Sequence, residues 1–168
     1  MTVPDFSSEG LSGSALVAHT AAALAPAGLL AEADQAYTWR SGQAAMAQAV
    51  AQAIDDRSAL VAEAGTGVGK TYAYLVPLLL SGRRALVGPA TKSLQDQLFL
   101  RDLPRLKSLL RMTGRHALLK GRASYLCLHR LELARPSDAA ADRFTQRALA
   151  RIERWAASTT SGDLAELD

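Results

Sequence analysis

Residues 60 to 71 read Leu-Val-Ala-Glu-Ala-Gly-Thr-Gly-Val-Gly-Lys-Thr, and the predicted elements are arranged around them. A short apolar run comes first, a glycine-rich turn follows, and a lysine–threonine pair opens a helix. Successive backbone N–H groups in such a turn form an anion-binding nest, and the helix N-terminus adds partial positive charge. We expect Gly65, Gly67 and Gly69 to take positive φ values and to let the backbone approach a ligand closely. The stretch therefore predicts a phosphate-binding loop.

The loop supplies the predicted nucleotide-binding and catalytic residues. Lys70 is expected to reach the β- and γ-phosphates of ATP, and the Thr71 hydroxyl is expected to bind Mg²⁺. The usual pattern begins with glycine where this chain has Ala64, a position that tolerates a small residue. The alternative is an ordinary turn between a strand and a helix. The residues assigned to ATP binding in this loop are Ala64, Gly65, Thr66, Gly67, Val68, Gly69, Lys70 and Thr71.

The flanking sequence alternates between strand-like and helix-like patterns. Apolar runs at 59–62 and 84–88 predict buried strands, and 116–119 predicts a third short strand. Helices are predicted over 14–25, 41–55, 72–81, 91–104, 123–133 and 137–157, with Pro104 ending or bending the fourth. In the helix over 41–55, the predicted buried stripe is Ala45, Met46, Ala49, Val50, Ala53 and Ile54. This order predicts an α/β fold with a parallel sheet and flanking helices.

The charge distribution is uneven along the 168 residues, although the net charge is only +3. Residues 83–135 carry twelve Lys or Arg and three Asp or Glu, net +9, against −4 before them and −2 after them. A basic block directly after a nucleotide site predicts a polyanionic partner such as nucleic acid. A solvated basic surface is the alternative.

Composition restricts the class of protein and its compartment. A hydrophobic content of 49% excludes a wholly disordered chain. Cys127 is the single cysteine, so no internal disulfide can form, which favours a cytoplasmic protein. No apolar run reaches the ~18 residues of a membrane span, so no membrane partner is predicted.

Three further patterns lie outside the phosphate loop. Gln43, in Arg40-Ser-Gly-Gln, has an amide that offers both a donor and an acceptor, as the adenine edge does. Thr91-Lys-Ser-Leu-Gln-Asp-Gln97 follows a predicted strand, and its first N–H groups could hold a nucleic-acid phosphate. Surface polarity and an ordinary capped helix are the respective alternatives. Finally, an arginine stripe at Arg143, Arg147, Arg151 and Arg154 could follow a DNA backbone or form a solvated helix face.

Together with Lys120-Gly-Arg-Ala-Ser-Tyr-Leu-Cys127, these motifs resemble the start of a superfamily 2 DNA helicase. The resemblance is to the XPD-like iron–sulfur group of DinG/YoaA type, YoaA more than DinG, and covers about residues 36 to 135. It implies a RecA-like first lobe, ATP and Mg²⁺, single-stranded DNA as partner, 5′-3′ polarity, and a role in DNA repair or replication. It also implies the following site residues: Arg40 and Gln43 for adenine, Thr91, Lys92 and Gln97 for DNA, and Cys127 as the first of four [4Fe–4S] ligands.

The resemblance predicts four segments and an incomplete enzyme. They are an arm and helix (1–35), the N-terminal part of the ATP-binding domain (36–119), the start of the iron–sulfur insertion (120–157) and a polar tail (158–168). The sequence has no apolar run followed by Asp-Glu, no further cysteines and no second lobe. We therefore expect a truncated chain that binds nucleotide weakly and does not unwind DNA. A non-enzymatic fragment that binds DNA or a protein, and another P-loop NTPase such as a small kinase, are the alternatives; the sequence identifies no protein partner.

Overall fold

The structure, a computed structural model, describes residues 13–134 and 143–167. The chain divides into two compact units, Met1–His116 and Ala117–Asp168. No helix in the two described ranges combines the length and apolar character that crossing a membrane requires. The α-helices are α1 (Gly13–Ala23), α2 (Leu29–Ala33), α3 (Ser41–Asp56), α4 (Lys70–Leu80), α5 (Lys92–Gln97), α6 (Leu103–Leu109), α7 (Leu128–Leu133) and α8 (Arg143–Ala156).

The first unit is built around α4, which packs against α1, α3 and α6. Seven of the eleven residues in α4 are aliphatic or proline, and Val76 is fully buried. Burying a leucine side chain stabilises a fold by about 1.5–3 kcal/mol, so this cluster holds the first unit together. Its largest buried side chains are Leu16, Thr20, Leu24, Leu30, Leu75, Val76, Pro77, Leu106 and Leu110.

Helix α3 has the predicted length but a different buried face. Ala47 and Ala51 are fully buried, whereas the predicted Ala45 and Ala49 are exposed, so that part of the stripe is wrong. Alanine occurs at so many positions of α3 that the apolar pattern has no unique phase. The larger residues Met46, Val50 and Ile54 recur every fourth position and are partly buried, as predicted.

Helical backbone continues through Pro104, so the proline does not end the helix, and the alternative that it bends the helix stays a prediction. A π-helical turn at Leu98–Asp102 lies between α5 and α6, and α6 carries Pro104 in its first turn. A π turn shifts the backbone hydrogen-bond pairing by one residue, and a helix start tolerates a residue that lacks an N–H group. The two effects together let helix resume after Asp102.

The predicted parallel sheet is not seen: within 13–134 and 143–167 no residue lies in a strand. The segments 59–62 and 84–88 have no regular structure, and Val61 and Leu86 are each 99% exposed. A strand satisfies its backbone groups only through a neighbouring strand. The apolar pattern marks segments suited to a sheet, but it does not supply their partners.

The second unit gives structure to the tail that was predicted to be unpatterned. Tyr125 and Asp163 form an antiparallel bridge, and the Leu126 N–H donates to the Gly162 carbonyl at 2.8 Å. Short 3₁₀ turns occupy Arg122–Ser124 and Leu164–Glu166, so helix α7 begins later than predicted. The predicted third strand over 116–119 is absent from this part of the chain. The first residues of the helix predicted over 137–157 lie outside the described residues.

Candidate nucleotide-binding site

The glycine-rich loop takes the left-handed backbone conformation at two of its three glycines. The φ angle is +80° at Gly67 and +89° at Gly69, and Gly69 immediately precedes α4. Gly65 does not have a positive φ, so the prediction is wrong there. Left-handed backbone turns amide groups inward and strongly favours glycine. The loop therefore has the backbone form of an anion-binding nest at the helix end.

Lys70 places its ammonium group over this loop. The Lys70 Nζ donates to the carbonyl oxygens of Ala64 and Gly65, at 2.8 Å each, and the side chain is exposed. Lys70 is also the first residue of the eleven-residue helix α4, whose N-terminal N–H groups carry partial positive charge. An ammonium and a helix N-terminus at one loop can bind a phosphate group.

Gln43 is brought to the loop, but it points inward. Its side chain is 3% exposed, and its Nε2 donates to the Gly69 carbonyl at 3.0 Å. The Tyr37 hydroxyl donates to the Gln43 Oε1 at 3.4 Å and to the Leu24 carbonyl at 2.8 Å. A Cβ at Gly69 would lie 2.2 Å from Gln43 Nε2, so the amide fits only against glycine. In this structure Gln43 therefore stabilises the phosphate loop from the buried side, through its hydrogen bond to Gly69.

Arg40 lies one residue before α3 and remains exposed. Its Nη1 donates only to the nearby Thr38 carbonyl, at 3.4 Å. Burial raises the pKa of Tyr37, and the positive charge of Arg40 acts in the opposite direction. Tyr37 therefore stays a neutral hydrogen-bond donor at physiological pH. Adenine recognition by Arg40 and Gln43 stays a prediction.

Thr71, the predicted Mg²⁺ ligand, lies one helical turn before Tyr74 in α4. Burial raises the pKa of Tyr74, and the hydrogen bond to Thr71 lowers it by a smaller amount. Thr71 follows Lys70 directly at the start of the helix. Its role at Mg²⁺ stays a prediction.

Replacing Gln43 with methionine will destabilise the first unit even without nucleotide. The change keeps the side-chain volume but leaves the Gly69 carbonyl without its amide donor, which costs about 1–2 kcal/mol. Urea unfolding of Gln43→Met measures this loss. Gln48→Met, on an exposed position of the same helix, is the control and will stay within ~0.5 kcal/mol of the parent chain. Equal stabilities for the two variants would contradict a supporting role for Gln43.

Among the predicted DNA-binding residues, only Lys92 presents a free charged group to solvent. The Thr91 Oγ1 caps α5 by accepting from the Leu94 N–H at 3.2 Å. The Gln97 Nε2 donates to Asp102 Oδ2 at 2.8 Å, and Asp102 is only 6% exposed. Asp102 is not among the predicted site residues, although its five-residue spacing after Gln97 matches a π turn. Thr91 and Gln97 therefore stabilise this helix, and DNA contact by them stays a prediction.

Cys127 is exposed and immediately precedes helix α7. Within the described ranges, no group of three or more His, Cys, Asp or Glu side chains could hold a metal ion. A [4Fe–4S] cluster requires four ligands, usually thiolates, and the sequence provides one. The residues present do not fit that cluster.

Comparison with known proteins extends the resemblance beyond single motifs. The chain is 48% identical over 127 residues to the ATP-dependent DNA helicase YoaA of Haemophilus influenzae, covering 76% of this chain and 20% of that protein. It is 53% identical over 108 residues to the Escherichia coli protein of the same name, covering 64% and 17% respectively. The chain belongs to the DinG/YoaA family. The resemblance stated from the motifs is thereby confirmed.

Other DinG/YoaA proteins differ in the activity that their names state. The Bacillus subtilis relative, named 3'-5' exonuclease DinG, is 33% identical over 144 residues, which cover 83% of this chain and 15% of that protein. The chain thus spans about a fifth or less of the length of these DinG/YoaA relatives. No family model matches the chain, and no solved structure matches it.

Proposed function

We propose that this chain supplies the ATP-binding part of an ATP-dependent DNA helicase. The observation that carries the proposal is the loop at α4, where Gly67 and Gly69 adopt left-handed backbone and Lys70 places an ammonium group above them. The names of the YoaA relatives support ATP as the nucleotide and DNA as the substrate. In this proposal Lys70 stabilises phosphate charge and Thr71 binds Mg²⁺, while Arg40 and Gln43 select adenine.

We further propose how the chain contacts DNA, in which direction the helicase moves and in which process it acts. Lys92 holds a phosphate of single-stranded DNA from the start of α5, with Thr91 and Gln97 ordering that turn. Translocation is 5′-3′, in DNA repair or replication in the cytoplasm. These features are expected from the family resemblance, and strand-displacement assays of a longer helicase that contains this sequence, on tailed duplexes of either polarity, test the direction.

The exposed apolar segments of the first unit support a RecA-like sheet in a longer protein. Val61 and Leu86 are almost wholly exposed, and Leu60 is 43% exposed. Apolar side chains at such exposure mark surfaces that a partner covers. We propose that strands from the remaining sequence of such a helicase pair with 59–62 and 84–88 and complete the parallel sheet.

The chain by itself is proposed to bind nucleotide without unwinding DNA. Phosphoryl transfer requires a carboxylate to hold Mg²⁺ and position the attacking water. The 168 residues contain no Asp-Glu pair after an apolar run to provide it. The alternative of a DNA-binding fragment without nucleotide chemistry is favoured by one observation, the net charge of +9 over residues 83–135.

Replacing Lys70 with alanine will weaken ATP binding by roughly 30-fold, because a charge-assisted contact worth about 2 kcal/mol is lost. Titration with a fluorescent ATP analogue measures the affinity. Lys92→Ala removes the same charge from an exposed position of another helix and will leave ATP affinity unchanged while weakening DNA binding. Parent chain that binds no ATP, or equal effects from the two substitutions, would refute the nucleotide site. Steady ATP hydrolysis that depends on Lys70 would refute the proposal that the chain alone is inactive.

A further inference from the structure

Helix α8 carries a concentrated positive face in an otherwise acidic part of the sequence. Residues 136–168 have a net charge of −2, yet α8 contains four arginines. At about 100° per residue they fall within an arc of about 80°, and the first and last are about 16 Å apart along the axis. We call this face the arginine stripe; its members are Arg143, Arg147, Arg151 and Arg154.

The arginine stripe is exposed and has no carboxylate partner among the residues that the structure describes. All of its side chains are exposed, and no ion pair joins any of them to another residue in the described ranges. In the described part of the chain, the stripe's side chains make one hydrogen bond, from Arg154 Nε to the Ala150 carbonyl at 3.3 Å. Like charges spaced four residues apart on a helix repel each other. A polyanion laid along the stripe would remove this repulsion.

The opposite face of α8 does not compete for the same partner. Its apolar residues Leu149, Ile152, Trp155 and Ala156 are partly buried in the protein. A helix that binds a membrane surface needs its apolar face free to enter the lipid. Phe144 at the helix start is 82% exposed, but the rest of the apolar face is already covered in part. The geometry therefore favours a linear polyanion over a lipid surface.

We propose that the arginine stripe of α8 binds the phosphate backbone of single-stranded DNA, as a contact separate from Lys92. Guanidinium groups offer forked donors that match phosphate oxygens, and their regular spacing along one helix face suits a repeating backbone. The contact carries no base preference, because phosphates are the same in every sequence. The choice of DNA as the polyanion rests on the proposed function.

The test measures binding of the full chain to a fluorescent oligo-dT strand at several salt concentrations. Changing the four arginines to glutamine will lower the slope of log affinity against log salt by about 2–3, since each phosphate contact of a single strand contributes ~0.7. Affinity at low salt will fall at least tenfold. Glutamine has a helix propensity close to that of arginine, so α8 should be retained, which circular dichroism verifies.

Two control variants make the result specific. Arg57→Gln with Arg84→Gln removes two exposed charges elsewhere and will change the slope less than Arg147→Gln with Arg151→Gln. A stripe of four lysines will keep the slope but bind more weakly, because the forked donors are lost. Equal slope changes for the two pairs, or no change in the glutamine stripe, would overturn the proposal. Stripe-dependent binding to anionic vesicles without binding to oligo-dT would also overturn it.

The same proteins separate this inference from the proposed function. Stripe variants will bind the fluorescent ATP analogue as the parent chain does, because α8 lies outside the phosphate loop. If the parent chain binds ATP and oligo-dT but the stripe variants lose neither, only the stripe inference fails. If Lys70→Ala leaves ATP binding intact while the stripe variants lose oligo-dT, the nucleotide site fails and the stripe stands.

Discussion

Replacing Lys120 with methionine is expected to destabilise the Ala117–Asp168 unit by about 3 kcal/mol. Lys120 is only 9% exposed, and its Nζ lies 2.6 Å from Asp163 Oδ2. Asp163 is itself largely buried, and it pairs with Tyr125 in the antiparallel bridge that joins the two ends of the unit. Removing the lysine leaves a carboxylate in a poorly solvated position, which costs more than the ion pair contributes.

Fluorescence of Trp155 follows unfolding of this unit once Trp39, the other tryptophan, is changed to phenylalanine. A second change separates the buried charge from other effects. Asp163 Oδ1 also accepts from the Ala165 N–H at 3.1 Å, so Asp163→Asn can keep that contact while removing the charge. The double variant Lys120→Met with Asp163→Asn is expected to recover at least 1 kcal/mol relative to Lys120→Met. Lys92→Met serves as the exposed control. A double variant less stable than Lys120→Met would show that charge is not the cause.

Replacing Gly28 with alanine is expected to destabilise the first unit by about 3 kcal/mol, at the upper end for overpacking. An added Cβ would lie 2.0 Å from the Ala22 carbonyl oxygen and 3.0 Å from the Ala23 oxygen. These are backbone atoms in α1, so no side-chain rotation relieves the contact. The φ angle of Gly28 is −91°, which alanine adopts freely, so the loss is steric and not conformational.

Gly88→Ala is the matched control for this prediction. A Cβ at Gly88 would have no atom within 4 Å, and the variant is expected to stay within ~0.5 kcal/mol of the parent chain. Once Trp155 is changed to phenylalanine, urea unfolding followed by Trp39 fluorescence reports on the first unit in both variants. If Gly28→Ala and Gly88→Ala are equally stable, the turn between α1 and α2 relaxes around the added methyl group.

Local signals in the sequence predicted the positions of most helices and the left-handed backbone at two of the three loop glycines. Thr91 caps α5 as expected, and α4 begins at the lysine of the loop. Both features depend on residues a few positions apart. Gly67 and Gly69 likewise adopt the conformation that the glycine pattern indicates, whereas Gly65 does not. The glycine pattern indicates which positions can adopt a positive φ, whereas the surrounding contacts determine which of them do.

Features that depend on distant residues could not be predicted in the same way. The folded conformation of residues 158–167 depends on contacts with Lys120 and Leu126, which lie more than 30 positions earlier in the chain. Burial of Gln43 follows from a contact with Gly69 across 26 positions. The prediction of a sheet was not met for a related reason. The apolar runs at 59–62 and 84–88 indicate segments suited to strands, but they do not indicate which segments would pair with them.

The hydrogen bonds of Lys70 have a consequence for how tightly any phosphate can be held. Its ammonium already donates to the carbonyl groups of Ala64 and Gly65. An incoming phosphate therefore competes with the protein's own backbone for the same three protons. The binding free energy reflects the exchange of backbone carbonyl acceptors for phosphate oxygens. It is therefore smaller than the free energy of the new contact alone. These hydrogen bonds from Lys70 also stabilise the conformation of the loop between one binding event and the next.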